Sequence, residues 1–229
     1  MAAATKITHV IFDLDGTLLD TDKVFTLVSQ VIATRNGKAF SVELKTRMMG
    51  RPALEATETM IKELGLPYEP RELLKIRTKM QDEYWPRSEA MPGARQLVET
   101  LARAGIPMAI ATGSDTECLQ LKSTRHTAWI GLIKHVVTSN DSKVKRGKPA
   151  PDIFLRAAEL LGKTDRLETV LVFEDAALGV QAGLAAGMKV VAVPDKSLIV
   201  PETAAVFAEA DQVLDSLEQF DPQRWGIAL

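Results

Sequence analysis

One cysteine, Cys118, stands among 229 residues, so an internal disulfide is impossible and a cysteine-rich zinc site is excluded. Histidine is nearly as scarce. His9, His126 and His135 are the whole complement, their spacing fits no metal-ligand pattern, and no nucleophile elbow exists to support a Ser-His-Asp triad. Excess charge of one sign is missing too: 28 Lys and Arg oppose 30 Asp and Glu, a net charge of −2. Such a chain lacks the basic surface that nucleic acid or an anionic membrane requires. No run approaches the ~18 apolar residues that span a bilayer, and Met1 to Lys6 carries no apolar leader. These absences point to a soluble, cytoplasmic protein whose partner is a small molecule, with no nucleic acid, no membrane and no obligate protein partner.

What remains is an ordinary globular composition, 46% hydrophobic and 25% charged. At roughly 150 residues per domain the length corresponds to one domain carrying an insertion. Val10, Ile11, Phe12 and Leu14 run without alternation, as in a strand buried on both faces of a parallel sheet. Similar short runs recur at Met108–Ala111, His135–Val137, Val170–Phe173 and Val190–Val193. Helical signals lie between them, such as Pro92 opening a helix whose Leu97, Val98 and Leu101 share one face before Gly105. Alternating strands and helices predict a doubly wound α/β parallel sheet of the Rossmann-like kind. The alternation lapses between Asp20 and Met91, where four amphipathic stretches follow one another with no convincing strand. The expected organisation is an α/β core of residues 1–19 and 92–229 with a small α-helical cap, residues 20–91, inserted after the first strand.

Ligands of open α/β sheets bind beyond the carboxyl ends of the strands, and the chemically capable residues cluster at those ends. Asp13 and Asp15, two apart on an extended chain, point the same way before Gly16 allows a turn. If Glu174 and Asp175 join them, each like-charge pair at about 4 Å costs on the order of 4 kcal/mol at an effective dielectric of 20. Such a cluster must hold a proton or a cation, and all-oxygen hard ligands select Mg²⁺. A metal with donors beside it suits phosphoryl transfer. Lys148 supplies a point charge, and the Thr112 hydroxyl with the Gly113 and Ser114 amides can bind phosphate oxygens. Each residue also has a plainer reading. Asp-Gly is common in turns, Ser114-Asp115-Thr116-Glu117 reads as a capping box with Ser114 as the cap, and Lys143 to Lys148 reads as a solvated basic loop. Gly147-Lys148 is no phosphate-binding P-loop, because Pro149 stands where Ser or Thr is needed. Gly179, Gly183 and Gly187 fall four apart and predict a flat helix face packed on the sheet.

Asp13-Leu14-Asp15-Gly16-Thr17-Leu18-Leu19-Asp20-Thr21, Ala111-Thr112-Gly113-Ser114, Gly147-Lys148-Pro149 and Phe173-Glu174-Asp175, in this order and spacing, resemble the haloacid dehalogenase (HAD) superfamily, and the helical insertion resembles its subfamily I cap. The resemblance implies a phosphatase. Asp13 would be the nucleophile that forms an aspartyl-phosphate, and Asp15 the acid and base, its pKa raised by the neighbouring carboxylate. Mg²⁺ would be held by Asp13, the Asp15 main-chain carbonyl, Asp175 and Glu174; Thr112, Gly113 and Lys148 would hold the phosphoryl group. Thr17 and Asp20 fall to the turn and hinge. Arg51, Glu55 and Trp85 are candidates for the cap's substrate face. Within the superfamily, Met49 to Ala56, Lys122 to His126 and the Leu214–Phe220 tail resemble the GS1-like pseudouridine-5′-phosphatase group, which implies pseudouridine 5′-phosphate as substrate. Thr17 and Gly113 depart from that group toward the general family pattern, and relatives with similar caps hydrolyse glycerol 3-phosphate, sugar phosphates or flavin mononucleotide.

Four other readings stay in view. A metal-free dehalogenase would not need Asp15 or the Glu174-Asp175 pair. A β-phosphoglucomutase-like mutase shares the core motifs but carries an arginine three residues after the glycine corresponding to Gly50, where this chain has Ala53. A silent binding protein would be expected to have lost Asp13 or Asp15, and a phospho-receiver domain would be about half this length.

Overall fold

Most of the hydrophobic runs become strands covered on both faces; His135–Val137, at the sheet edge, is the exception and leaves Val136 exposed. In the computed structural model, which describes residues 6–49 and 51–228, β1 (His9–Phe12) turns Val10 and Phe12 into one hydrophobic cluster and Ile11 into another on the opposite face. The chain then forms β2 (Leu19–Asp20), α1 (Asp22–Arg35), α2 (Val42–Met48), α3 (Ala53–Leu64), α4 (Pro70–Tyr84) and β3 (Glu89–Ala90). Helix and strand next alternate through α5 (Ala94–Arg103), β4 (Met108–Ala111), α6 (Thr116–Ser123), α7 (Thr127–Ile130), β5 (His135–Val137) and α8 (Asp152–Leu160). The alternation ends with β6 (Val170–Glu174), α9 (Ala177–Ala185), β7 (Lys189–Ala192), α10 (Pro201–Phe207) and β8 (Gln212–Val213).

Among the described residues six strands form one parallel sheet in the order β5-β4-β1-β6-β7-β8. The first strand is central. Its register sets Phe12 beside Ile110 of β4 and Phe173 of β6, and the Phe12 and Phe173 rings stack at 5.0 Å. The carboxyl ends of β1, β4 and β6 are therefore neighbours, which brings residues a hundred or more positions apart into one crevice.

The helical insert has its own core, built from Val24, Val28, Ile32, Leu44, Met60, Leu73 and Trp85 among others. Its two connections to the sheet pair as an antiparallel ribbon, Leu19 with Ala90 and Asp20 with Glu89. This ribbon departs from the expectation of no strand in the region; two residues on each side are too few for a period-two pattern to register. The edge strand β8, also two residues long, is too short for such a pattern as well. None of the described helices is long and apolar enough to cross a membrane. Residues 1–5, which bear on the leader reading, and Gly50, from which the mutase spacing is counted, lie outside the described residues, as does Leu229.

Candidate active site

Asp13 follows β1 directly, and its backbone N–H donates to the Phe173 carbonyl at 3.0 Å, extending the ladder by one residue. That bond aims the buried Asp13 carboxylate toward the end of β6. Lys148 meets it there: its Nζ donates to Asp13 Oδ1 at 2.6 Å, to Glu174 Oε1 at 2.5 Å and to the Ala111 carbonyl at 3.3 Å. The rest of the basic run lies at the surface, where Lys143 pairs with Glu159 and Arg146 with Asp152.

Carboxylate oxygens of Asp13, Glu174 and Asp175 all lie within 4.8 Å of one another. Burial pushes the Asp13 carboxyl up to about 7; the Lys148 ammonium pulls against this, and the Glu174 and Asp15 charges reinforce it. Asp175 is raised well above the carboxylate range by burial and then by Glu174 and Asp13. Burial works to lower Lys148, but Asp13 and Glu174 outweigh it and hold the ammonium protonated. Two glycines make room for the acids. A Cβ on Gly16, which turns at φ +79°, would sit 2.1 Å from Asp175 Oδ2, and one on Gly179 would sit 1.8 Å from Glu174 Oε1. Three hard-oxygen donors on cleared ground, with a single ammonium between them, fit a small divalent cation such as Mg²⁺.

The Gly179 contact corrects the flat-face reading of the three glycines. Gly183 does pack on the sheet, against Val190 and Val172, but Gly179 accommodates a site carboxylate and Gly187 lies beyond the end of α9 at φ +74°.

Asp15 departs further from expectation. Its Oδ1 accepts from Lys122 Nζ at 2.6 Å and Thr21 Oγ1 at 2.8 Å, and its Oδ2 from Ser114 Oγ at 2.8 Å and Thr112 Oγ1 at 3.2 Å. Burial raises its pKa, but Lys122 and the hydroxyl donors win, so Asp15 lies below the usual carboxylate range where the acid pair alone predicted a raised value. Lys122 is 6% exposed, donates also to Ser114 Oγ at 2.7 Å, and stands 4.4 Å from the Trp85 ring centroid. The Lys122 to His126 stretch carries a resemblance but no chemical pattern that gives Lys122 a site role; its place on α6, eight residues past Ser114, turns it inward. Ser114 is not the cap of α6. Asp115 takes that part, accepting from the Cys118 N–H at 2.8 Å, which leaves the Ser114 hydroxyl for Asp15 and Lys122.

Thr112 is buried and accepts from the Ser114 N–H through Oγ1 at 3.0 Å; the space where a Gly113 side chain would stand is open. Thr17 donates to Asp175 Oδ1 at 3.3 Å and so touches the acid cluster rather than serving the turn alone. Asp20 pairs with Lys23 at the ribbon. A cavity of about 340 Å³ separates the helical insert from the sheet, with Asp15, Gly16 and Asp175 on one wall and Arg51, Arg77 and Trp85 on the insert side. Glu55 does not line it; its side chain is exposed on α3, one step off the inward-facing Ala56.

The family model of haloacid dehalogenase-like hydrolases matches residues 7–187. The chain belongs to that family. It is a hydrolase of the HAD phosphatase type. An Arabidopsis thaliana protein named (DL)-glycerol-3-phosphatase 2 is 44% identical over 99% of this chain and 94% of its own. A Drosophila melanogaster protein named probable pseudouridine-5′-phosphatase is 36% identical over 97% and 95%. The expected likeness to the pseudouridine group is therefore real but is exceeded by the likeness to glycerol-3-phosphatases. Among solved structures, an HAD family hydrolase from Deinococcus radiodurans with bound phosphate and sodium superposes with a TM-score of 0.76 at 26% identity, covering 94% of this chain and 93% of its own.

Proposed function

We propose that this HAD phosphatase hydrolyses a small phosphomonoester, glycerol 3-phosphate foremost, through an aspartyl-phosphate on Asp13. The convergence of Asp13, Glu174, Asp175 and Lys148 at the carboxyl ends of β1 and β6 carries the reading. The Asp13, Glu174 and Asp175 carboxylates with the Asp15 main-chain carbonyl would hold Mg²⁺, which supplies positive charge where negative charge spreads over the transferring phosphoryl group. Thr112, Gly113 and Lys148 would hold the phosphoryl oxygens; the Lys148 ammonium also pulls the Asp13 pKa down, against the larger upward push of burial.

In the first half-reaction an Asp13 oxygen attacks phosphorus, the bond from phosphorus to the ester oxygen breaks, and Asp15 gives the departing alkoxide its proton. In the second, Asp15 takes a proton from water as that water attacks the same phosphorus, releasing phosphate and restoring Asp13. The Lys122-bound, ionised Asp15 suits the second step. A dianionic phosphate seated beside it pushes its pKa back up, as the first step needs. Residues 20–91 act as a cap in this reading, closing over the substrate and excluding water.

Glycerol 3-phosphate is favoured by the 44% identity to proteins of that name and by a cavity at the small end of the ligand-pocket range. Pseudouridine 5′-phosphate is the second reading, on the 36% relative. Phosphate release with and without Mg²⁺ tests both across glycerol 3-phosphate, pseudouridine 5′-phosphate, 2-deoxyglucose 6-phosphate, flavin mononucleotide and β-glucose 1-phosphate. Mg²⁺-dependent release highest on glycerol 3-phosphate is expected. Conversion of β-glucose 1-phosphate to glucose 6-phosphate without release would make the chain a mutase, and silence on every ester would leave a binding protein.

A further inference from the structure

The apolar stripe of α4 is interrupted by a buried cation. Arg77 shares the inward face with Leu73, yet it is 3% exposed and pairs with no carboxylate among the described residues. Its Nη1 donates to Thr57 Oγ1 at 2.5 Å, its guanidinium carbon lies 5.3 Å from the Phe25 ring centroid, and its Nε has no hydrogen-bond partner. Burial lowers its pKa only to about 10, so it remains charged at neutral pH. A buried guanidinium with unmet donors is costly unless something supplies acceptors. The acids of the same cavity are engaged elsewhere: Asp15 with Lys122, Asp22 with Lys45, and Asp175 in the acid cluster. Leu74, Arg77, Thr78 and Gln81, one face of α4, line the insert side of the cavity, while Asp15, Gly16 and Asp175 line the other.

We propose that Arg77 is the substrate-reading residue of the insert: its free guanidinium donors take hydroxyl or carbonyl oxygens of the leaving alcohol, so the site selects phosphomonoesters of small, oxygen-rich alcohols over those of plain alkyl alcohols. This rests on the phosphatase reading above. An ester whose phosphate meets the Asp13 cluster extends its alcohol into the cavity where Arg77 stands. Arg77 does not touch the reacting atoms; it sets which alcohol is accepted.

The test compares kcat/KM for the best-hydrolysed ester of the panel above with that for propyl phosphate, which has the carbon chain of glycerol 3-phosphate and none of its free hydroxyls. Wild-type enzyme should favour the oxygen-rich ester by at least about tenfold. Arg77→Met should bring that ratio close to one, and Arg77→Lys should fall between. Equal losses on both esters, or an unchanged ratio, would make Arg77 a packing residue and overturn the assignment. Should Arg77→Met fail to fold by circular dichroism, Thr57→Val decides: removing the acceptor that orients Nη1 lowers the ratio if the assignment holds and leaves it alone if not. Wild-type silence on every ester sinks the phosphatase reading itself, whereas turnover with a ratio insensitive to Arg77 sinks only this inference.

Discussion

Lys122 donates to Asp15 across 107 positions of sequence, 2.6 Å from Nζ to Oδ1. The same ammonium faces the Trp85 ring of the insert, so one cation touches the proposed acid-base residue and the wall of the cavity. Removing it changes what Asp15 can do.

Lys122→Met takes away the main influence holding the Asp15 pKa down, and burial then raises it. The ionised Asp15 that activates water is populated only at higher pH. The acid-side limb of the kcat profile should move upward in pH, with kcat at neutral pH lower by at least about tenfold. A limb that stays in place would remove Lys122 from this role.

Gly179→Ala places a methyl group on the Glu174 carboxylate. Overpacking of this kind costs about 1–3 kcal/mol, and the displaced carboxylate weakens metal binding by about 10–100-fold. Thermal unfolding and Mg²⁺ titration of turnover check the two effects. Wild-type Tm and Mg²⁺ dependence would mean that Glu174 moves aside freely and takes no part.

The acid cluster predicts coupled pH and metal dependence. Asp13 titrates near 7 when folded against about 4 when unfolded, so between those values the folded chain binds more protons. Metal-free stability therefore falls as pH rises through that window. Mg²⁺ competes with protons for these carboxylates. Its stabilisation should be large at about pH 8 and small at about pH 5, read as the Tm difference with and without metal. A pH-independent difference would place the ion elsewhere.

Asp13, Asp15, Lys148, Glu174 and Asp175 were legible in the sequence because each sits in a short local pattern, the acids at strand ends and Lys148 in the loop before α8, and the parallel sheet brings those patterns into one crevice. Lys122 and Arg77 were not, because each matters through a helix face. Arg77 occupies a core position that hydrophobic periodicity assigns to an apolar residue, and Lys122 reads as an ordinary helical lysine until α6 docks against Asp15. The Asp15 pKa went the other way for the same reason: the carboxylate two residues off is visible in the chain, and the ammonium 107 residues off is not. A one-residue shift of the helix cap, from Ser114 to Asp115, was enough to turn a capping serine into a site hydroxyl.

The covalent step on Asp13 is tested most directly by acid-quenching the enzyme in turnover with a ³²P-labelled ester and locating the label by peptide mapping, beside Asp13→Asn. Label on the peptide containing Asp13, with Asp13→Asn folded, unlabelled and inactive, is the expected result. Label on another residue, or undiminished phosphate release by Asp13→Asn, would contradict it.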